Sequence, residues 1–137
     1  MTVEKLDQKI LDAKLAGRLL VNQFIEIFEI DAGILNEKII DDTDFNKDRN
    51  LHFKMLNQLQ KDIENANLSK VEKEHRARSV LTFEVKYLET LEKLLKLAKS
   101  KNLGEDIRWK VSFEKLIFSV EGYRNSIATL EEYLQNS

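Results

Sequence analysis

Towards its C-terminal end the chain repeats apolar residues at alternating steps of four and three: Trp109, Phe113, Leu116, Val120, Tyr123, Ile127, Leu130 and Leu134. A strand would place one face at every second residue, so this spacing commits the segment to a helix with a single long buried stripe. One such stripe cannot be covered by itself. It needs other helices with matching seams, and the sequence supplies them. Leu6, Ile10, Ala13, Gly17, Leu20, Phe24 and Ile27 mark a first helix from about Thr2 to Asp31, with Gly33 as its expected C-cap.

Two further helices lie between. Phe45, Arg49, His52, Leu56, Leu59, Ile63 and Ala66 give a second helix from about Asp44 to Ala66, with Thr43 or Asp44 as its N-cap. Ser69 followed by Glu72 forms a capping box, opening a third helix from about Lys70 to Lys101. Its seam reads Ala77, Leu81, Glu84, Leu88, Leu91, Leu95 and Ala98, and Gly104 in "NLGED" is expected to close it. There is no proline and there are only four glycines, so nothing interrupts these runs. The expected fold is all-α, an antiparallel up-down-up-down four-helix bundle formed as one domain over residues 1–137. The connection between the first two helices is long enough to cross over, so how the first helix pairs stays open.

Composition then narrows function. With 42% hydrophobic and 34% charged residues the chain reads as an ordinary folded protein. Cysteine is absent, which removes disulfides and thiol chemistry. A net charge of -2 argues against general nucleic-acid binding, which needs an excess of Lys and Arg. No stretch approaches the roughly 20 apolar residues of a membrane span, and the N-terminus is not built like a secretory signal. A cytoplasmic protein without cofactor is expected.

Metal chemistry is tested by the pair Glu72 and His75 in "VEKEHRARS". That spacing occurs in di-iron bundles, but such a site needs a second copy on another helix and two more inward acids. The other histidine, His52, has Arg49 where that acid would stand, and Glu72 belongs to the capping box. Asp42, Asp44 and Asn46 resemble the start of a calcium loop, but Lys47 replaces its glycine and Phe53 its final Glu. No metal site is expected.

The seams carry one polar level. Folding the second and third helices about Leu68 brings His52 opposite Glu84, and folding the third and fourth about Leu103 brings Glu84 level with Tyr123. If the outer helices also pair, Gly17 joins that level and leaves room for the tyrosine ring. Two readings follow. The layer is a hydrogen-bonded device that fixes helix register, or it is a small ligand or acid–base site in the core. If His52 points outward, Arg49 would pair with Glu84 instead.

The second feature is apolar excess outside the seams. Ile34, Leu35, Ile39 and Ile40 crowd the first connection, as a lid over the short second helix or as a patch for a partner. Trp109, the only tryptophan, either seals the core near Ala98 or serves as an exposed anchor. The leading expectation is a non-enzymatic bundle acting through protein–protein contact, as an adaptor, chaperone-like or inhibitory module, with a protein partner or a second copy. The alternative is a small-ligand sensor or enzyme built on the polar layer.

Overall fold

The computed structural model describes residues 2–28 and 43–136, with side chains from residue 46 onward in the second segment. The expected cap at Gly33 and the apolar cluster of Ile34, Leu35, Ile39 and Ile40 lie outside the described residues. Among the described residues there are four α-helices: α1 (Val3–Phe28), α2 (Thr43–Glu64), α3 (Lys70–Ser100) and α4 (Lys110–Asn136). No strand occurs among the described residues, and no helix among them is long and apolar enough to cross a membrane. The all-α four-helix bundle expected from the seams is the fold.

Side-chain pairs between helices give their directions. Lys9 near the start of α1 meets Asp62 near the end of α2 at 2.9 Å, so these two run antiparallel. Arg76 of α3 grips Asp7 of α1 with both Nε (2.8 Å) and Nη2 (3.3 Å). Further along, the Tyr87 hydroxyl donates to the Lys14 carbonyl at 2.6 Å. Partner numbers rise together here, so α1 and α3 lie parallel. Glu84 with Ser126 and Glu92 with Arg124 run in opposite senses, which makes α3 and α4 antiparallel. Chain direction therefore alternates from helix to helix, as expected.

The neighbour relations differ from the simplest arrangement. α3 packs most extensively against α4 and α1, and α1 against α3 and α2. α1 and α4 face each other across the bundle rather than side by side, so the outer helices do not pair directly. Serving two neighbours explains why α3 buries a wider face than one seam: Val80, Phe83, Tyr87 and Leu94 are buried, whereas Leu81 and Leu88 of the expected seam are only half-buried. An alternation of three and four fits both 84-87-91 and 84-88-91, and contact with two helices selects the first.

The helix ends follow local chemistry. The Glu72 N–H donates to Ser69 Oγ at 3.2 Å, satisfying one free donor of the first turn. The Lys73 ammonium reaches back to the Glu64 carbonyl at 2.8 Å and so ties the start of α3 to the end of α2. Thr43 is already helical and is not the N-cap of α2. Gly104 does not close α3 either. That role falls to Asn102, which takes the left-handed conformation at φ 54°. Gly104 sits in the following single 3-10 turn, Leu103–Glu105, and a Cβ there would lie 2.8 Å from the Phe113 ring. Its lack of a side chain lets that turn press on the base of α4.

Trp109 is 2% exposed and packs against Phe28 with ring centroids 5.5 Å apart. It seals one end of the core, and the reading of it as an exposed partner anchor is corrected by this burial.

Candidate functional site: a polar layer beneath a groove

Midway along the bundle one level gathers Gly17 of α1, His52 of α2, Glu84 and Tyr87 of α3, and Tyr123 and Ser126 of α4. His52 and Tyr123 are joined directly, Nε2 to hydroxyl, at 2.7 Å. Both are buried, at 2% and 0% exposure. Position explains this: each stands on its helix's seam, where a leucine would otherwise face the centre. The inward turn of His52 removes the alternative in which Arg49 pairs with Glu84. Arg49 instead lies over the Phe118 ring, 5.9 Å from its centroid.

Glu84 is in the layer but does not bond to His52. Its Oε1 accepts a 2.5 Å hydrogen bond from Ser126, and its Oε2 has no partner among the described residues. The expected acid–base pair is thus two separate hydrogen-bonded pairs at one level. Burial of the charged form dominates both titrations. It pushes the Glu84 carboxyl up to about 7, against the opposing hydrogen bond from Ser126. It holds the His52 imidazole down to about 4. The Tyr123 phenol is raised far above its usual range by burial, then by Glu84 and Tyr87. At neutral pH His52 and Tyr123 are uncharged, so no ion pair forms across the layer.

Gly17 has a different beneficiary from the one expected. A Cβ on it would lie 2.6 Å and 2.9 Å from the Tyr87 ring and 3.0 Å from the Tyr123 hydroxyl. Tyr87 takes most of the vacated space, and its hydroxyl bonds the Lys14 carbonyl one turn away on the same helix. Tyr87 and Ser126 are the members that the seam reading missed. Tyr87 was concealed by the ambiguity between three and four. Ser126 had a visible signal, since Ser112, Ser119 and Ser126 recur at every seventh position and all are buried.

On its α1–α2 side the layer comes close to solvent. A groove of about 360 Å³ opens there, lined by Ala16, Leu19, Leu20, Gln23, Asp48, Leu51, His52 and Met55. The Nδ1 of His52 has no hydrogen-bond partner among the described residues. Elsewhere, Glu72 is held in the first turn of α3 and His75 lines a separate α1–α3 groove beside Arg76. Among the described residues no three metal-ligating side chains are placed to share an ion.

The layer is built from two buried hydrogen-bonded pairs, His52 with Tyr123 and Ser126 with Glu84. A slip of one turn would separate both pairs. Comparison of the chain with protein-family models, with curated proteins and with solved structures gives no match.

Proposed function

We propose that the protein is a non-enzymatic interaction module that holds another protein by contact through the outer face of α1. The observation carrying this reading is a row of leucines pointing away from the core. Leu11, Leu15 and Leu19 stand at successive steps of four and are 46%, 48% and 66% exposed. Leu51 of α2, 48% exposed, continues the row where it drifts towards that helix. A helix that already buries a complete seam has no folding reason to carry a second apolar line. Exposed apolar rows with a polar surround mark contact surfaces. The complementary shape is an amphipathic helix of a partner, laid along α1 and presenting its own apolar face.

The test compares three forms of the protein as bait in extracts of the native cells. A protein recovered with the wild type and with Glu84→Gln, but lost with Leu15→Asp, supports the reading. Equal recovery by wild type and Leu15→Asp overturns it. Sedimentation at several concentrations separates the two kinds of partner. A dimer that Leu15→Asp dissolves would assign the row to a second copy.

A further inference from the structure

The groove where α4 lies against the second half of α3 is walled by charge of mostly one sign. Glu92, Lys93, Leu95, Lys96 and Lys99 of α3 and Arg124 of α4 surround a volume of about 410 Å³. Four cations and one acid thus line a single cleft, on a chain whose net charge is -2. The acid is already engaged, since Glu92 Oε2 accepts from Arg124 Nη2 at 3.2 Å. Lys96 stands four residues after Glu92, a spacing that favours pairing along a helix, but that carboxylate has gone to Arg124. Lys99 has Leu95 at the same spacing. None of Lys93, Lys96 and Lys99 makes an ion pair among the described residues.

Folding does not ask for this arrangement. Like charges on neighbouring turns of one helix repel. The C-terminus of α3 favours cations, but that attraction fades beyond the last turn, where Lys99 stands and Lys93 and Lys96 do not. Elsewhere the cations that reach across helices meet one acid each, Lys9 with Asp62 and Arg76 with Asp7. A cleft lined by one sign of charge concentrates ions of the other sign.

We propose that this groove binds a compact oligophosphate, laid along Lys93, Lys96 and Lys99 and reached from the other wall by Arg124. Spacing selects linked phosphates over a single one. From Lys93 to Lys99 the helix rises about 9 Å at 1.5 Å per residue, close to the length of three phosphates in a chain. Arg124 supplies a planar fork suited to phosphate oxygens, and the bond it would exchange is an exposed ion pair of little worth. The lysines supply mobile point charges that adapt to the positions of the phosphates. Leu95 is the one apolar lining residue and is buried, so the site does not select a hydrocarbon or aromatic body.

Calorimetric titration with inorganic triphosphate tests this, because a protein of net charge -2 draws in no polyanion by its overall field. Wild type should bind one triphosphate per chain, and orthophosphate about tenfold more weakly or worse. Lys96→Gln/Lys99→Gln should lose about tenfold in triphosphate affinity, the worth of two exposed ion pairs. Lys5→Gln/Lys54→Gln removes the same charge from exposed positions outside the groove and should leave affinity within about twofold. All four lysines are exposed, so both double variants should keep the wild-type urea midpoint. Absence of triphosphate binding, equal affinity for orthophosphate, or equal losses in the two double variants overturns the proposal.

A phosphorylated lipid headgroup offers the same chemistry, and vesicles containing phosphatidylinositol bisphosphate tell the two sources apart. Cosedimentation that triphosphate reverses assigns the groove to a headgroup, and its absence leaves a free oligophosphate as the ligand. Leu15 lies outside the groove, so Leu15→Asp should leave triphosphate binding unchanged, which keeps failure here separate from failure of the protein-contact reading.

Discussion

The α3–α4 and α1–α2 interfaces of this bundle differ in the extent of their contact and in the size of the residues at their edges. On α4, the small residues Ser112, Ser119 and Ser126 come at every seventh position and are buried, and Ser126 meets Glu84 of α3. Among the described elements α3 and α4 make the most extensive contact. Two of the three hydroxyls have partners, and the buried Ser112 Oγ has none among the described residues. Ser119 bonds back to the Lys115 carbonyl at 2.9 Å, and Ser126 bonds across to Glu84. Between α1 and α2, large residues stand at the seam's edges, with Leu19 and Leu51 left in solvent and a groove between them. Tight closure there would have required small residues at those positions. The contrast separates an interface committed to holding the fold from one with surface to spare.

That contrast is most open to challenge by adding bulk on each side. Ser119→Leu places three extra carbons in a site with no exposure and removes a satisfied hydroxyl. Overpacking of this kind costs about 1–3 kcal/mol, because α4 cannot retreat without losing its other contacts. Ala16→Leu adds more volume at a half-exposed position beside the groove and should change stability by less than about 0.5 kcal/mol. Urea denaturation of both variants reads the difference. Equal losses would mean that the α1–α2 side is as tightly committed as the other.

The polar layer joins the two interfaces, and its titrations sharpen the comparison. Glu84 has its folded-state pKa raised from 4.5 to about 7, so its contribution is fully present below 4.5 and is lost as pH rises through 7. His52 has its value lowered from 6.5 to about 4, so its contribution is present above 6.5 and lost as pH falls through 4. Between those unfolded-state values the two slopes oppose each other, and together they leave little pH dependence. Glu84→Gln imitates the protonated acid, keeping an oxygen for Ser126 while removing the titration. Its stability advantage over wild type should grow from near zero at pH 4.5 to on the order of 3 kcal/mol at pH 8. The variant's own stability should then rise with pH up to 6.5, as His52 dictates. A pH-independent difference between the two proteins would show that burial does not govern Glu84.

How much of this was readable beforehand depends on how local the cause is. Helix identity, the Ser69 cap and the level shared by His52, Glu84 and Tyr123 come from spacing within one or two neighbouring segments, and spacing is written in the sequence. Antiparallel hairpin arithmetic placed Glu84 beside α4 to within one turn. What spacing does not contain is which helices become neighbours. The parallel packing of α1 on α3 depends on all four helices at once, and it decides that Tyr87 rather than Leu88 turns inward. It also decides that Gly17 makes room mainly for Tyr87. Trp109 is ambiguous for the same reason: its burial depends on Phe28, a residue far away in the chain and brought near only by the bundle.

The smaller predictions concern that missed contact. Gly17→Ala would by helix propensity stabilise α1 by about 1 kcal/mol. The new methyl, however, meets the Tyr87 ring at 2.6 Å. The ring is pinned by its 2.6 Å bond to the Lys14 carbonyl on that same helix, so it cannot swing clear without breaking the bond. A net loss of about 1–2 kcal/mol is expected, measured as a fall in the urea midpoint.

Tyr87→Phe should cost about 1 kcal/mol by itself, the net worth of one hydrogen bond whose carbonyl keeps its place in the helix ladder. The informative experiment is the double variant. A phenylalanine freed from Lys14 can tilt away from the new methyl, so the combined loss should be smaller than the sum of the two single losses by about 0.5 kcal/mol or more. Strict additivity would mean that the hydrogen bond does not hold the ring in place, and that Gly17 answers to Tyr123 after all.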